Sequence, residues 1–288
     1  MEQFPDSVRF HITRLAETLS PKQKEIAKYI LDNPYFTSYA SANELGEKNN
    51  TTAATVVRFA QSLGYDGYLQ LQNALRAELP NYMTTTARMQ KRMGAETPPH
   101  SNLHQVFYTD IKNIERTASN VSEKLVNDAL DTIIKAKRIW VTGAGLSYGP
   151  SVFMAHSLKV MGFDAQAFQG EVLQSAVDQS RMKPNDLLIA IDLWRYVRMT
   201  VNTVSFAKSI GTPVIAITDS VVSPLAQAAD IAFEIATEGI AHSRSITAFL
   251  SVLNVLIAML ADRVPEQVYE SLKRVDEIYR SNGLLVIT

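Results

Sequence analysis

The chain of 288 residues contains no cysteine, and this absence removes several kinds of chemistry. Without thiols there is no disulfide, no thiolate zinc site and no cysteine nucleophile, which is compatible with the reducing cytoplasm where we expect the protein to act. The charges are balanced, with 28 basic and 29 acidic residues, so no overall charge attracts nucleic acid or a membrane. Any such partner must be recognised at a local site.

The sequence also lacks a long apolar run. Its most apolar stretch, Ile246 to Leu260, spans 15 residues and contains three polar side chains, whereas a bilayer requires about 20 apolar residues. The first residues contain no apolar segment of the signal-peptide type. We therefore expect no membrane partner and a buried or interface helix at the apolar stretch.

Three compositional regions follow one another along the chain. Residues 1–79 show short helical patterns without strands, residues 80–102 combine threonines, prolines and basic residues, and residues 103–288 alternate helices with apolar strands. This order predicts an all-α domain, a linker with some helical content in its middle, and an α/β domain with flanking helices. Two domains also agree with the usual length of about 100 to 200 residues per domain.

Local signals place several helix ends in the first region. Ser20 is expected to cap a helix that has Pro21 at its first position, and Asn33-Pro34 is expected to end it. A further helix is expected over residues 68–79.

Between these helices, a short helix over residues 41–48, a turn at Asn49-Asn50 and a second helix over residues 53–62 have the spacing of a helix-turn-helix. In that motif, the N-terminal residues of the second helix enter the major groove. The residues expected to contact DNA are Thr51, Thr52, Ala53, Thr55, Arg58 and Gln61. Hydroxyl, amide and guanidinium groups bond to base edges or phosphates. A helical bundle that serves only for dimerisation has the same pattern.

The motifs of this region resemble those of the RpiR family of bacterial transcription regulators. The matching segments are Glu44-Leu45-Gly46, Thr52, Thr55-Val56-Val57-Arg58-Phe59 and Leu63-Gly64-Tyr65-Asp66-Gly67-Tyr68. Thr52 replaces the serine that usually caps the second helix and preserves its hydroxyl. Gly46 replaces an alanine and is expected to weaken its helix by about 1 kcal/mol or less. The resemblance implies that this domain binds double-stranded operator DNA.

The last region predicts a five-stranded, doubly wound parallel sheet. The strand candidates are residues 138–142, 165–168, 187–191, 213–218 and 231–235. Helical stretches separate them, so helices are expected to cover both faces of the sheet. Ligands of such sheets bind at the carboxyl ends of the strands. Three loops follow strands there, at residues 143–149, 192–198 and 219–223.

The first of these loops, VTGAGLSYGPS, lies between a strand and a helix, an arrangement that holds anions. It fits neither a dinucleotide site, because Tyr148 takes the third glycine position, nor a P-loop, because Gly-Lys-Ser/Thr is absent; no cofactor is expected. Gly143 and Gly145 allow a close backbone approach, and the Ser147 hydroxyl can bond a phosphate or sugar oxygen. Alternatively, the glycines only make a tight strand-to-helix turn.

This loop and the segment Ile217 to Asp230 resemble the SIS (sugar isomerase) domain, which follows the helix-turn-helix in RpiR-family regulators. The resemblance covers roughly residues 125–260. It implies a domain that dimerises and binds an effector such as a phosphorylated sugar or a similar metabolite.

SIS domains also tend to bring polar residues to the ligand from the region that here reads TEGIAHSRSITAF. The candidates are His242, Ser243 and Arg244, although Ser243 could simply cap the next helix. Residues Gly239 to Ser245 are expected to open the long last helix. No metal site is expected, because His242 has no partner at ligand spacing.

The second loop departs from the family pattern. SIS domains usually carry Ser-x-Ser-Gly-x-Thr there, and this chain has Asp192, Trp194, Arg195 and Val197 at those positions. Asp192 would repel a phosphate, whereas Arg195 could serve as a bidentate anion ligand beside the stacking surface of Tyr196. Alternatively, Asp192 pairs with Arg195 or Arg198, and the loop only closes the end of the strand.

Together, these patterns predict a metabolite-responsive transcription regulator that acts as a homodimer or homotetramer. Effector binding between SIS domains would shift the spacing of two recognition helices and change operator affinity. The alternative is a regulator whose SIS domain serves only dimerisation. We expect no enzyme, because no spacing pairs Glu171 with His242 as acid and base, and a DNA-binding domain is hard to explain in an isomerase.

Overall fold

The computed structural model describes residues 8–78, 85–93, 103–169, 171–221 and 223–285. The chain separates into two units, residues 1–94 and 95–288. The first is helical and the second contains a five-stranded parallel sheet flanked by helices, as the sequence predicts. Parts of the expected linker, residues 80–84 and 94–102, lie outside the described residues, as does Leu79 at the expected end of the fourth helix.

Local signals define the helices of the first unit. In its described residues these are α1 Val8–Leu15, α2 Pro21–Asp32, α3 Pro34–Tyr39, α4 Ala42–Lys48, α5 Ala53–Ser62, α6 Tyr68–Glu78 and α7 Thr85–Met93. Ser20 and Ser41 cap α2 and α4 in reciprocal capping boxes with Gln23 and Glu44. The sequence patterns did not separate α1 and α3, whereas α7 provides the helical content expected inside the linker.

The core of the first unit joins α4 and α5 to the surrounding helices. Ile26, Leu45, Phe59 and Leu71 are fully buried together there. Asn50 adopts a left-handed backbone, with φ of 48°, at the turn between α4 and α5. The helix-turn-helix is therefore present at the predicted residues.

Five parallel strands form the sheet of the second unit. They are β1 Ile139–Thr142, β2 Ala165–Ala167, β3 Leu187–Ile191, β4 Val214–Thr218 and β5 Ile231–Glu234. Their order is β2-β1-β3-β4-β5, and every residue of β1, β3 and β4 is buried. The order reverses between β1 and β3, which is where ligands of doubly wound sheets bind.

Eight helices pack around the sheet within the described residues of this unit. They are α8 Leu103–Asn120, α9 Glu123–Lys135, α10 Tyr148–Val160, α11 Val172–Arg181, α12 Arg198–Ser209, α13 Pro224–Ala228, α14 Thr247–Arg263 and α15 Pro265–Ser281. The predicted apolar helix is α14, and its Phe249, Leu253 and Leu256 are buried in the core. No single helix of the described residues could span a membrane; α14 and α15 pass that test only as a pair bent by 105°.

Two expectations about the C-terminal part were wrong. Residues Gly239 to Ser245 do not open a helix, because α14 begins at Thr247 and the preceding segment is irregular. A β-carbon at Gly239 would collide with the carbonyl oxygen of Ser243, so the chain turns too tightly there for a helix. Nor is α14 the last helix, since α15 follows it.

The estimate that Gly46 weakens its helix rests on helix propensity alone and omits a tertiary contact. A β-carbon at Gly46 would lie 2.8 Å from the carbonyl oxygen of Thr51 and 3.1 Å from the carbonyl carbon of Thr52. The backbone of the helix-turn-helix therefore packs directly on α4 at this position. A β-carbon at this position would therefore require the backbone of residues 51–52 to shift.

We expect Gly46→Ala to lower the melting temperature by about 4 °C or more, because the clash outweighs the ~1 kcal/mol gained in helix propensity. Gly67→Ala is the matched control, since a β-carbon at Gly67 meets nothing within 4 Å. Thermal unfolding followed by circular dichroism measures both variants. A higher melting temperature for Gly46→Ala would contradict the expected packing.

Candidate functional site

The recognition helix α5 is buried on one side and exposed on the other. Its buried side chains are Val56, Phe59 and Ala60, and its exposed residues include Ala54, Arg58 and Gln61. Ala54 lies four positions before Arg58, and Gln61 lies three positions after it, so the three side chains share one face of the helix. Ala54 was missing from the predicted DNA contacts, although helical spacing from Arg58 indicates it.

The predicted DNA-contacting residues differ in the hydrogen bonds that they make within the protein. The Thr52 hydroxyl caps α5 by accepting the Thr55 N–H at 3.3 Å, and the two hydroxyls lie 3.1 Å apart. Gln61 donates to the carbonyl oxygen of Asp66 at 3.4 Å, whereas no hydrogen bond or ion pair within the described ranges holds the exposed Arg58. Thr51 and Ala53 are half-buried. Arg58 is therefore the strongest candidate for a DNA contact.

In the second unit, the two glycines of the first loop have different roles. A β-carbon at Gly143 would lie 2.6 Å from the Ser147 carbonyl oxygen and 2.9 Å from that of Ile191, so Gly143 lets the loop pack on the end of β3. Gly145 has φ of 57° and open space around it, so it supplies the left-handed turn. The loop thus lies against β3 at the reversal point of the sheet.

Buried hydroxyl groups surround this reversal point. Thr142 ends β1, Thr218 ends β4, and Ser147 lies in the first loop; each is at most 1% exposed. None of the three hydroxyls has a hydrogen-bond partner within the described part of the chain. Leaving such a group unsatisfied costs about 1–3 kcal/mol, so these hydroxyls favour a polar ligand.

The second loop folds around the carboxylate of Asp192. One carboxylate oxygen, Oδ1, accepts the Leu193 N–H at 2.9 Å, and the other, Oδ2, accepts the Val197 N–H at 2.8 Å. Burial raises the pKa of Asp192 from 3.8 to about 7, while the bond from Val197 lowers it. Trp194 and Arg195 adopt left-handed backbones, with φ of 47° and 71°.

Tyr196 links the second loop to the third. Its hydroxyl donates to Asp219 Oδ1 at 2.9 Å, and its side chain is buried. Burial raises the pKa of Asp219, while the bond from Tyr196 and the charge of Arg244 lower it. Tyr196 therefore holds two loops together in place of the open stacking surface that the sequence suggests.

Trp194 connects the second loop to the segment before α14. The guanidinium carbons of Arg195 and Arg244 lie 5.8 Å and 5.9 Å from the centre of its ring, within the range of cation–π interactions. Arg195 is exposed and Arg244 is half-buried. Two cations thus flank one aromatic ring at the edge where the loops meet.

His242 and Ser243 are less closely connected to the loops. His242 is exposed, and no hydrogen bond or ion pair joins it to the three loops among the residues described. Ser243 does not cap α14, because its hydroxyl donates to the carbonyl oxygen of Arg244. Trp194 and Asp219 were not predicted as site residues; the position of Asp219 directly after β4 could have indicated it.

Buried side chains of helix α8 hold the segment before α14 through hydrogen bonds. The Asn113 side chain donates to the Glu238 carbonyl oxygen at 2.8 Å and accepts the Glu238 N–H at 3.1 Å. One turn further, the Thr117 hydroxyl accepts the Ala236 N–H at 3.0 Å. Asn113 and Thr117 are almost fully buried. These bonds replace strand pairing for a segment that leaves the sheet.

The same helix also fixes the other end of this segment. Asp110 accepts the hydroxyls of Ser245 and Thr247, at 2.5 Å and 2.9 Å, and Arg116 pairs with Glu238 at 2.5 Å. The contacts of α8 therefore extend from the end of β5 to the start of α14. The segment that carries Arg244 is held at both ends by one helix.

A helix-turn-helix unit, followed by a doubly wound sheet whose loops gather buried hydroxyls, carboxylates and arginines, defines a two-domain transcription regulator. Two family models match the chain: the helix-turn-helix domain of the rpiR family over residues 8–82, and the SIS domain over residues 132–259. The chain belongs to the RpiR family of transcription regulators.

Its relatives agree with this assignment. An uncharacterized HTH-type transcriptional regulator of Caldanaerobacter subterraneus is 24% identical over 93% of this chain and 95% of its own. The regulator HexR of Pseudomonas aeruginosa is 25% identical, over 77% and 76%.

Solved structures show the same folds. The sugar isomerase domain of an RpiR transcription factor from Sphaerobacter thermophilus is 34% identical, with a TM-score of 0.59, over 60% of this chain and 97% of that one. NanR of Vibrio vulnificus, solved in complex with ManNAc-6P, is 22% identical with a TM-score of 0.63 and covers 96% and 99% of the two chains. The likeness to NanR supports the fold of both units.

Proposed function

We propose that this regulator senses a small anionic metabolite, a phosphosugar or a related acid, and changes its affinity for double-stranded operator DNA in response. The observation that carries the proposal is the buried Ser147 hydroxyl, which has no partner among the described residues and lies in a glycine loop packed on β3. Arg195 and Arg244 supply positive charge beside Trp194 of the second loop. The phosphosugar bound to NanR supports the same ligand class.

The proposed roles follow the predicted domains. Residues 1–79 bind DNA through α5, residues 80–102 connect the domains, and residues 103–288 bind the effector and associate into a homodimer or homotetramer in the cytoplasm. Association is supported by six exposed large apolar side chains on α8: Leu103, Val106, Phe107, Tyr108, Ile111 and Ile114.

Helix α8 also offers a route from the effector site to the DNA-binding domain. It is the first helix of the effector domain, and Asp110, Asn113 and Thr117 hold the segment that carries Arg244. An effector that displaces this segment would therefore shift α8 and the linker before it. Coupling of this kind is expected to be worth about 1–3 kcal/mol.

The geometry favours a sensor over an isomerase. Glu171 accepts the N–H groups of Leu173 and Gln174, which lower its pKa, so it acts as an exposed helix cap and not as a general acid. His242 is exposed. We therefore propose that the protein is not an enzyme.

The proposed DNA binding is tested with Arg58→Ala. Because Arg58 is exposed on the recognition helix, its loss should weaken binding to the upstream DNA of the protein's own operon by about tenfold or more. Fluorescence anisotropy at fixed salt measures the affinity. Lys28→Ala, which removes a positive charge from α2, should bind nearly as well as wild type. Equal affinities for all three proteins would refute the recognition-helix assignment.

The proposed effector binding is tested with Ser147→Ala. A thermal-shift screen of sugar phosphates, sugar acids and amino-acid metabolites should find a ligand that raises the melting temperature of the wild type, and the variant should lose most of that shift. Ser157→Ala is the control, because its hydroxyl bonds only its own helix, at Phe153. No response across the screen would favour a domain that serves only dimerisation.

The coupling route is tested with Asn113→Ala. This variant should still bind the effector, but the effector should change its operator affinity by several-fold less than in the wild type, because the segment before α14 loses its two bonds to Asn113 of α8. Thr117→Val removes one bond with little change in volume, and Glu115→Gln alters an exposed position of α8. A full response in both Asn113→Ala and Thr117→Val would exclude α8 as the route.

A further inference from the structure

The N-terminus of α12 is already occupied by an anion of the protein. The first N–H groups of this 12-residue helix have no acceptor within the helix and lie at the positive end of its dipole, an arrangement that binds anions. Asp192 Oδ2 accepts the N–H of Val197, the N-cap residue of α12, while Oδ1 accepts the N–H of Leu193. With Asp192 only 2% exposed, its carboxylate lies where an external anion would bind.

The backbone of the second loop is shaped to keep this carboxylate in place. Trp194 and Arg195 are both left-handed, a conformation that costs residues other than glycine about 1 kcal/mol or more each. Burial of Trp194 and Tyr196, and the bond from Tyr196 to Asp219, offset that cost. The loop therefore closes around its own carboxylate.

A second carboxylate is bonded to the same loop. Tyr196 of the second loop donates to Asp219 Oδ1 at 2.9 Å, and the charge of Asp219 contributes to the raised pKa of Asp192. Asp219 Oδ2 is buried without a hydrogen-bond partner among the described residues. A phosphate dianion at this loop would find the N–H groups of Leu193 and Val197 already bonded to Asp192, and any negative charge on Asp192 and Asp219 would oppose its own.

The hydroxyl groups of a ligand suit these surroundings. Asp219 Oδ2 can accept a hydroxyl hydrogen, and Ser147 and Thr218 can each donate or accept one. Arg195 and Arg244 both lie beside Trp194, and because the charge of Arg244 already acts on Asp219, the charge of Arg195 remains for a single carboxylate of the ligand. The site thus favours one negative charge and several hydroxyls.

Resting on the proposed sensor function, we infer that Asp192 is a specificity-determining residue that occupies the anion position of the second loop, and that the effector is a non-phosphorylated polyhydroxy acid. The residue acts by excluding one ligand class and preorganising the loop for another. Its removal should therefore increase phosphate binding.

The test compares matched ligands on the full chain by isothermal titration calorimetry. D-gluconate and 6-phosphogluconate differ by one phosphate, and inorganic phosphate probes the anion position alone. The wild type should bind gluconate about tenfold or more tighter than 6-phosphogluconate, and Asp192→Ser should reverse that preference and bind inorganic phosphate measurably. Asp192→Asn is the second variant if Asp192→Ser does not fold. Asp276→Asn, which removes a charge from α15, should behave as wild type.

The outcomes separate the inference from the function on which it rests. A wild type that prefers 6-phosphogluconate, together with Asp192 variants of unchanged preference, would overturn the inference and leave the sensor function standing. Absence of binding by wild type and variants to these ligands and to the screened metabolites would overturn both. Phosphate binding that appears only in the Asp192 variants would support the inference.

Discussion

The packing of the glycine loop on the end of β3 is the constraint on which the candidate effector site depends. Because Gly143 has no side chain, the Ser147 and Ile191 carbonyl oxygens can lie where a β-carbon would otherwise sit. This approach brings the loop after β1 against the loop after β3, where the order of the sheet reverses. Tyr196 then ties the second loop to Asp219, and Trp194 ties it to Arg244. The absence of a β-carbon at Gly143 thus lets the first loop pack on the edge that the other two loops and the segment before α14 also reach.

The segment before α14 differs from the three loops in how it is held. The loops follow buried strands and inherit their positions from the sheet, whereas residues 236–247 leave β5 and reach α14 without strand pairing. Side chains of α8 hold both ends of this segment, through Asn113 at Glu238 and through Asp110 at Thr247. Hydrogen bonds of side chains are each worth about 0.5–1.5 kcal/mol, so this segment can move at lower cost than the sheet. It is therefore the part of the site best suited to respond to a ligand.

Features that depend on neighbouring residues could be predicted from the sequence, and features that depend on distant contacts could not. The caps at Ser20 and Thr52, the left-handed Asn50 and the five strands all follow from local chemistry and patterning. The irregular segment at Gly239 was misassigned, because its tight turn is defined by a contact with the Ser243 carbonyl oxygen and by bonds from α8. The buried pairing of Tyr196 with Asp219 joins residues 23 positions apart, and no spacing rule indicates it. For Gly46, the family pattern identified the position where glycine replaces alanine. It did not indicate the close approach of that position to the backbone of Thr51 and Thr52.

The self-occupied second loop also limits how the regulator can respond. A loop that is disordered until its ligand arrives can transmit binding through the ordering itself. Here Asp192 accepts the N–H groups of Leu193 and Val197, and Tyr196 anchors the loop to Asp219, so the second loop is ordered by its own hydrogen bonds. In the proposed sensor, differential contact then arises elsewhere, and Arg244 is the residue of the candidate site that lies on the segment outside the sheet. In the inferred arrangement, Asp192 keeps phosphate from the second loop and leaves the conformational response to the segment before α14.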